Sequence, residues 1–169
     1  MNLIIESTLN TLQKSKSLLS VLSDEQLSNS SVSPYYSCVG SHIRHVLDFY
    51  NCIFDGLQRD RIDLTARTRD LNVEKDCNYA LEHVEIIVEK IERLSTITSN
   101  TKLVVIDDLG LGNIEIEYTL GALLAQANSH AIHHYAIISY VLDRLGIYVE
   151  DETFGYNPST PIIPAANLN

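Results

Sequence analysis

At 169 residues, 45% hydrophobic and 20% charged, the chain has the size and composition of one globular domain with a single core, residues 1–169. Its formal net charge of −10 repels phosphate backbones and excludes bulk nucleic acid as an expected partner. No apolar run reaches the roughly 18 residues that a membrane helix needs, so no membrane partner is expected.

The N-terminus, Met1-Asn2-Leu3-Ile4-Ile5-Glu6, carries no basic region and no small-residue cleavage site, so a signal peptide is not expected. The three cysteines, Cys38, Cys52 and Cys77, are odd in number and lack C-x-x-C spacing. That pattern suits free thiols in a reducing cytoplasm.

Residues 3–22 read as a first helix, with Ile5, Leu9, Leu12, Leu19 and Leu22 at helical spacing. The serine-rich stretch 28–37, with Pro34, reads as a loop. Residues 39–59 form a second predicted helix, whose apolar face includes Val39, Ile43, Val46, Leu47, Tyr50 and Ile53. His42, His45 and Asp48 follow one another along it at intervals of three. Residues 59–73 mix charge with isolated apolar side chains and read as a long connection. Connections of that length in a small domain are often functional.

A third helix is expected over residues 74–94, on a stripe of Ala80, Val84, Ile87, Val88, Ile91 and Leu94. Residues 95–101 are a polar break. Residues 102–107 and 113–118 are rich in Val, Ile and Tyr around D-L-G-L-G, which predicts a β-hairpin. Thr119 is the expected N-cap of a last helix ending at Leu145, with Gly146 just beyond it. The remaining tail, with F-G-Y-N-P-S-T-P, is expected to lie against the body. Four long helices with a small hairpin before the last predict an all-α fold, an antiparallel four-helix bundle.

Chemistry concentrates in N-S-H-A-I-H-H-Y-A, residues 128–136. His130 and His134 stand four apart, so on a helix they share one face, whereas His133 falls to the flank. Two inward imidazoles need polar partners. A metal ion would satisfy both, and so would hydrogen bonds to tyrosines or backbone. Bundle metal sites draw on facing helices, so a third ligand is sought on the second helix, at His42 or His45. A helical wheel favours His42. Asp48, one turn after His45, is either a solvated residue or a carboxylate orienting that imidazole. Three imidazoles with an open position suit zinc, nickel or ferrous iron. Arg67, Arg69, Asp70 and Glu74 read either as a salt-bridged loop or as a substrate clamp. His83 reads as surface. There is no G-x-S-x-G, P-loop, G-x-G-x-x-G or H-E-x-x-H.

G-S-H-I-R-H-V-L-D, residues 40–48, together with N-S-H-A-I-H-H-Y-A, resembles the DinB/YfiT-like superfamily of metal-binding four-helix bundles. R-T-R-D-L-N-V-E (67–74) and F-G-Y-N-P-S-T (154–160) resemble segments of one subgroup. The resemblance implies a metal held by His45, His130 and His134, with His45-Val46-Leu47-Asp48 matching the second-helix motif. Where some members carry R-G-Q after the last histidine, this chain has Tyr135-Ala136-Ile137. Some members are thiol-dependent S-transferases or isomerases, and a related domain occurs in sulfoxide synthases. The implied function is a metal-dependent thiol S-transferase or hydrolase acting on a small electrophile. The alternative is a non-catalytic bundle that binds a metal, a small ligand or a partner. Members often pair, so a homodimer is expected.

Overall fold

The computed structural model describes residues 2–94 and 98–161. Helix α1 spans Leu3–Leu19, where Asn2 caps it by accepting the Ile4 N–H at 3.0 Å. Its buried face, Ile5, Leu12, Leu18 and Leu19, follows the periodicity of the sequence. A one-turn helix, α2 (Asp24–Ser28), is closed by a reciprocal capping box between Ser23 and Gln26. Helix α3 (Val39–Leu57) begins at Cys38, whose sulfur accepts the Ser41 N–H. Helix α4 (Cys77–Arg93) is capped by Asp76, and α5 (Leu120–Arg144) by Thr119. Leu145 is the C-cap of α5, and Gly146 follows at φ +70°, the left-handed conformation that ends the helix.

Three strands complete the fold: β1 (Arg61–Asp63), β2 (Lys102–Asp108) and β3 (Asn113–Thr119). β2 and β3 form the expected antiparallel hairpin, whose turn is held by Asp108 accepting from the Gly110 and Gly112 N–H groups. β1 pairs parallel with β2, placing Ile62 beside Val105. Ile62, Leu103 and Val105 are buried on the inner face of the sheet. The four long helices pack in the cyclic order α1, α4, α3, α5, and β1 lies against α3.

The all-α four-helix bundle with a lone hairpin is therefore corrected: the described residues form five helices and a three-stranded mixed sheet. The missed strand is R-I-D, which has one apolar residue and no periodicity of its own. It is a strand only because a distant segment supplies its hydrogen bonds, a non-local determinant. Gly56 lets it approach, because a Cβ there would stand 2.8 Å from the Ile62 Cα. Part of the expected polar break, residues 95–97, and residues 162–169 of the tail lie outside the described residues. Of the described tail, Phe154 is buried and stacks on Tyr135 at 5.0 Å, whereas Tyr148 and residues 156–161 are exposed.

The segment from Leu64 to Asp76 is fastened across the start of α3. A Cβ at Gly40 would lie 2.5 Å from the Glu74 carbonyl oxygen and 2.6 Å from its Cα. Arg44 on α3 ion-pairs with Glu74 at 2.5 Å and with Asp48 at 2.6 Å, and Asp48 accepts the Arg69 N–H at 3.3 Å. Gly40→Ala gains about 1 kcal/mol of helix propensity, against an overpacking cost of about 1–3 kcal/mol with backbone as the unyielding neighbour. The expected outcome is a net loss of stability, seen as a lower urea midpoint. A raised midpoint would show that the segment is not pinned there.

Candidate metal centre

Antiparallel packing of α3 on α5 sets histidines of both helices into one seam. His42 faces His134, with ring centroids 5.2 Å apart, and Phe49 faces His130 at 5.0 Å. His45 lies between these rungs, 4.9 Å from His130 and 4.6 Å from His134, and the last two rings are also 4.6 Å apart. One nitrogen from each of His45, His130 and His134 falls within 4.8 Å of the others. Tetrahedral zinc with bonds of 2.0–2.1 Å needs nitrogens about 3.4 Å apart, so the cluster would have to tighten to hold an ion. All three residues are half-buried.

The structure brings together the three histidines implied by the resemblance. His42, which the wheel favoured, has a different place. Its Nδ1 lies 3.0 Å from His134 Nδ1 and its Nε2 lies 2.8 Å from Ser37 Oγ. The chain can run in either direction, because a serine hydroxyl both donates and accepts; with His134 donating from Nδ1 to His42 and His42 donating from Nε2 to Ser37, the His134 Nε2 lone pair is free. Orienting partners of this kind hold the tautomer and ring plane of metal-ligating histidines. Asp48 does not serve His45. It is buried and engaged by Arg44 and the Arg69 backbone. His133 is exposed, as its off-stripe position predicts. His83 is half-buried on α4, its Nδ1 3.0 Å from the Tyr79 carbonyl.

The donor set fits a metal ion. His130 Nε2 is buried with no hydrogen-bond partner among the described residues, which costs free energy unless an electrophile takes its lone pair. Burial, the largest cause, and neighbouring cations hold the imidazoles neutral. His134 is lowered to about 3, chiefly by burial, and the close packing of His130 and His45 further disfavours more than one charge in the cluster. His45 is lowered to about 4, with Arg67 as the leading charge. His42 and His130 are also lowered, chiefly by burial; for His130, Arg67 and His133 lower it further and Asp107 of β2 opposes them. Neutral imidazole is the form that binds metal.

The candidate clamp separates into two groups. Glu74 pairs with Arg44, Asp70 accepts from the Tyr79 hydroxyl, and Arg69 is exposed at φ +56°. Arg67 alone reaches the seam: its Nε donates to the Leu64 carbonyl at 3.0 Å and its Nη1 to His45 Nδ1 at 3.2 Å. The cysteines are buried and unbridged, and burial pushes Cys52 and Cys77 up to about 11. Two concavities elsewhere, about 660 Å³ along β2 and β3 and 240 Å³ under the tail, include none of the three histidines.

No family model matches the chain. No solved structure matches it either. In sequence it is similar to a protein named FK506-binding protein 5 from Rhizopus delemar, 35% identical over 102 residues. The match covers 59% of this chain and 26% of that protein, so the chain spans about a quarter of the length of the relative it matches. None of the described helices is long and apolar enough to cross a membrane.

The lowered histidines set a pH dependence for the metal-free protein. Unfolded histidines titrate near 6.5, above the folded values of about 4 and 3 for His45 and His134. On acidification the unfolded chain takes up protons first. Stability is therefore intact above about pH 6.5 and declines as pH falls toward the folded values. Urea midpoints of the metal-free protein are expected to drop between pH 6.5 and 4.5, and a His45→Gln, His134→Gln double variant to flatten that window. An equal slope in both proteins would contradict neutral imidazoles in the fold.

Proposed function

We propose that the chain is a cytoplasmic protein that binds one divalent transition metal ion through His45, His130 and His134 and uses it to activate a thiol or water against a small electrophile. The reading is supported above all by three neutral imidazoles from two facing helices converging within 4.8 Å, one with a buried nitrogen lacking a partner. It agrees with the DinB/YfiT-like resemblance of the two histidine motifs. An ion held by three neutral ligands keeps its double charge and an open position, and the chemistry it supplies is a lower pKa for a thiol or water and polarisation of the electrophile.

The chain's own residues have separable tasks. His42, itself bonded to Ser37, holds the orientation of the His134 ring, and accepts the Nδ1 proton when His134 Nε2 serves as ligand. Phe49, itself buried, packs its ring beside His130 and fixes the side of that imidazole away from the other histidines. Asp107 favours positive charge at His130 and so opposes Arg67 there. Cys52 and Cys77, raised to about 11, hold almost no thiolate at neutral pH, so the nucleophilic thiol is assigned to a molecule from outside rather than to either of them.

Two measurements test the reading. In competition against a chelator, wild type should bind one zinc or nickel ion per chain. His45→Ala and His134→Ala should abolish tight binding, and His42→Ala should weaken it about 10–100-fold, the usual cost of losing an orienting partner. If His42→Ala loses the metal and His45→Ala keeps it, the ligand set is wrong. Turnover in a panel of low-molecular-weight thiols and electrophiles should require the metal and survive Cys52→Ser. Metal-independent turnover would remove the catalytic reading.

A further inference from the structure

Two arginines in the described structure are not exposed, Arg44 and Arg67. Arg44 is held by two carboxylates. Arg67 has none within 4.0 Å among the described residues, and instead places its guanidinium against the histidine cluster through His45. A cation desolvated without a counter-ion is costly, and this one stands where a second cation would bind.

The Arg67–His45 contact is also incompatible with metal ligation by a neutral His45. Arginine is a donor only, so His45 Nδ1 must accept. If the ion takes the Nδ1 lone pair, Arg67 must leave. If the ion takes the Nε2 lone pair, the single imidazole proton moves to Nδ1, which can no longer accept, and Arg67 must again leave. In either case metal binding frees the Nη1 end of the guanidinium, while its Nε remains tied to the Leu64 carbonyl. The freed end lies next to a double positive charge.

We propose that Arg67 is the anion receptor of this centre: released from His45 when the ion binds, it holds a carboxylate of the substrate or thiol, which thereby lies between the guanidinium and the metal. A carboxylate is favoured because one guanidinium fork matches one planar oxyanion, and Arg44, the other half-buried arginine near His45, is already paired with Glu74 and Asp48 rather than free to share the double charge of a phosphate. The proposal rests on the metal reading above and adds the substrate class to it. It also gives the segment from Leu64 to Asp76 a task, since the pins to Gly40, Arg44 and Asp48 fix where Arg67 can reach.

The test is a zinc titration by chelator competition on wild type, Arg67→Met and Arg67→Lys, each with and without saturating acetate, and with inorganic phosphate as a second probe. Circular dichroism checks folding. Acetate should tighten zinc binding to wild type about tenfold, within the usual range of site coupling. Arg67→Met should bind zinc severalfold more tightly than wild type without anion, because the competitor for His45 is gone, and should lose the acetate effect. Arg67→Lys keeps the charge without the fork and should show a reduced effect, which keeps the test decisive if Arg67→Met fails to fold. An equal acetate effect in all three proteins, or weaker zinc binding by Arg67→Met, would overturn the role of Arg67 while leaving the metal site standing. A larger effect from phosphate than from acetate would overturn the carboxylate class. Absence of zinc binding by wild type would overturn the metal reading and this inference together.

Discussion

The packing of α3 against α5 is the constraint on which everything near the seam depends. It is an antiparallel contact with a fixed stagger: His42 over His134, Phe49 over His130, His45 between them. The apolar residues around it, Ile43, Val46, Ala127, Ala131 and Ile138, are buried and supply the driving force at about 25 cal/mol per Å² of apolar surface. Into that interface the sequence inserts four imidazoles. One half-buried nitrogen cluster with an unpartnered member costs about 1–3 kcal/mol. A fold that keeps such a cluster where leucines would pack better carries a local penalty that a bound ion would relieve.

The second layer of control comes from outside the helices. The segment after β1 is fixed to α3 by a glycine that admits the Glu74 backbone, by an arginine bridging two carboxylates, and by the Arg69 amide on buried Asp48. These contacts explain why Asp48 is buried although it orients no histidine. Its two jobs are to hold Arg44 and to receive the loop, and both bring Arg67 to the seam. The small sheet serves the same end, because β1 starts the segment at a defined height on α3 and β2 carries Asp107 toward His130.

The four long helices, the hairpin, the Thr119 cap and the Gly146 stop were legible because their signals are local: apolar periodicity, a capping side chain, a residue tolerant of positive φ. The strand at Arg61–Asp63 was not, since three residues with one isoleucine hold no pattern, and pairing with Val104–Ile106 makes them a strand. The choice between His42 and His45 was equally out of reach of a helical wheel. Both histidines flank the core stripe of α3, and the stagger against α5 decides which sits between His130 and His134. The resemblance of the motif pointed to His45, but it also pointed to Asp48 as that histidine's partner, which the ion pair with Arg44 rules out. The partner that exists, His42 on His134, joins residues 92 apart in sequence, beyond any local signal.

The central claim is a three-imidazole metal centre in the α3–α5 seam. Its most direct test is X-ray absorption spectroscopy of the protein loaded with one equivalent of zinc. The expected spectrum is a nitrogen/oxygen shell at about 2.0–2.1 Å, with multiple scattering from three imidazole rings and no sulfur. A sulfur shell near 2.3 Å, or scattering from fewer than three imidazoles, would contradict it.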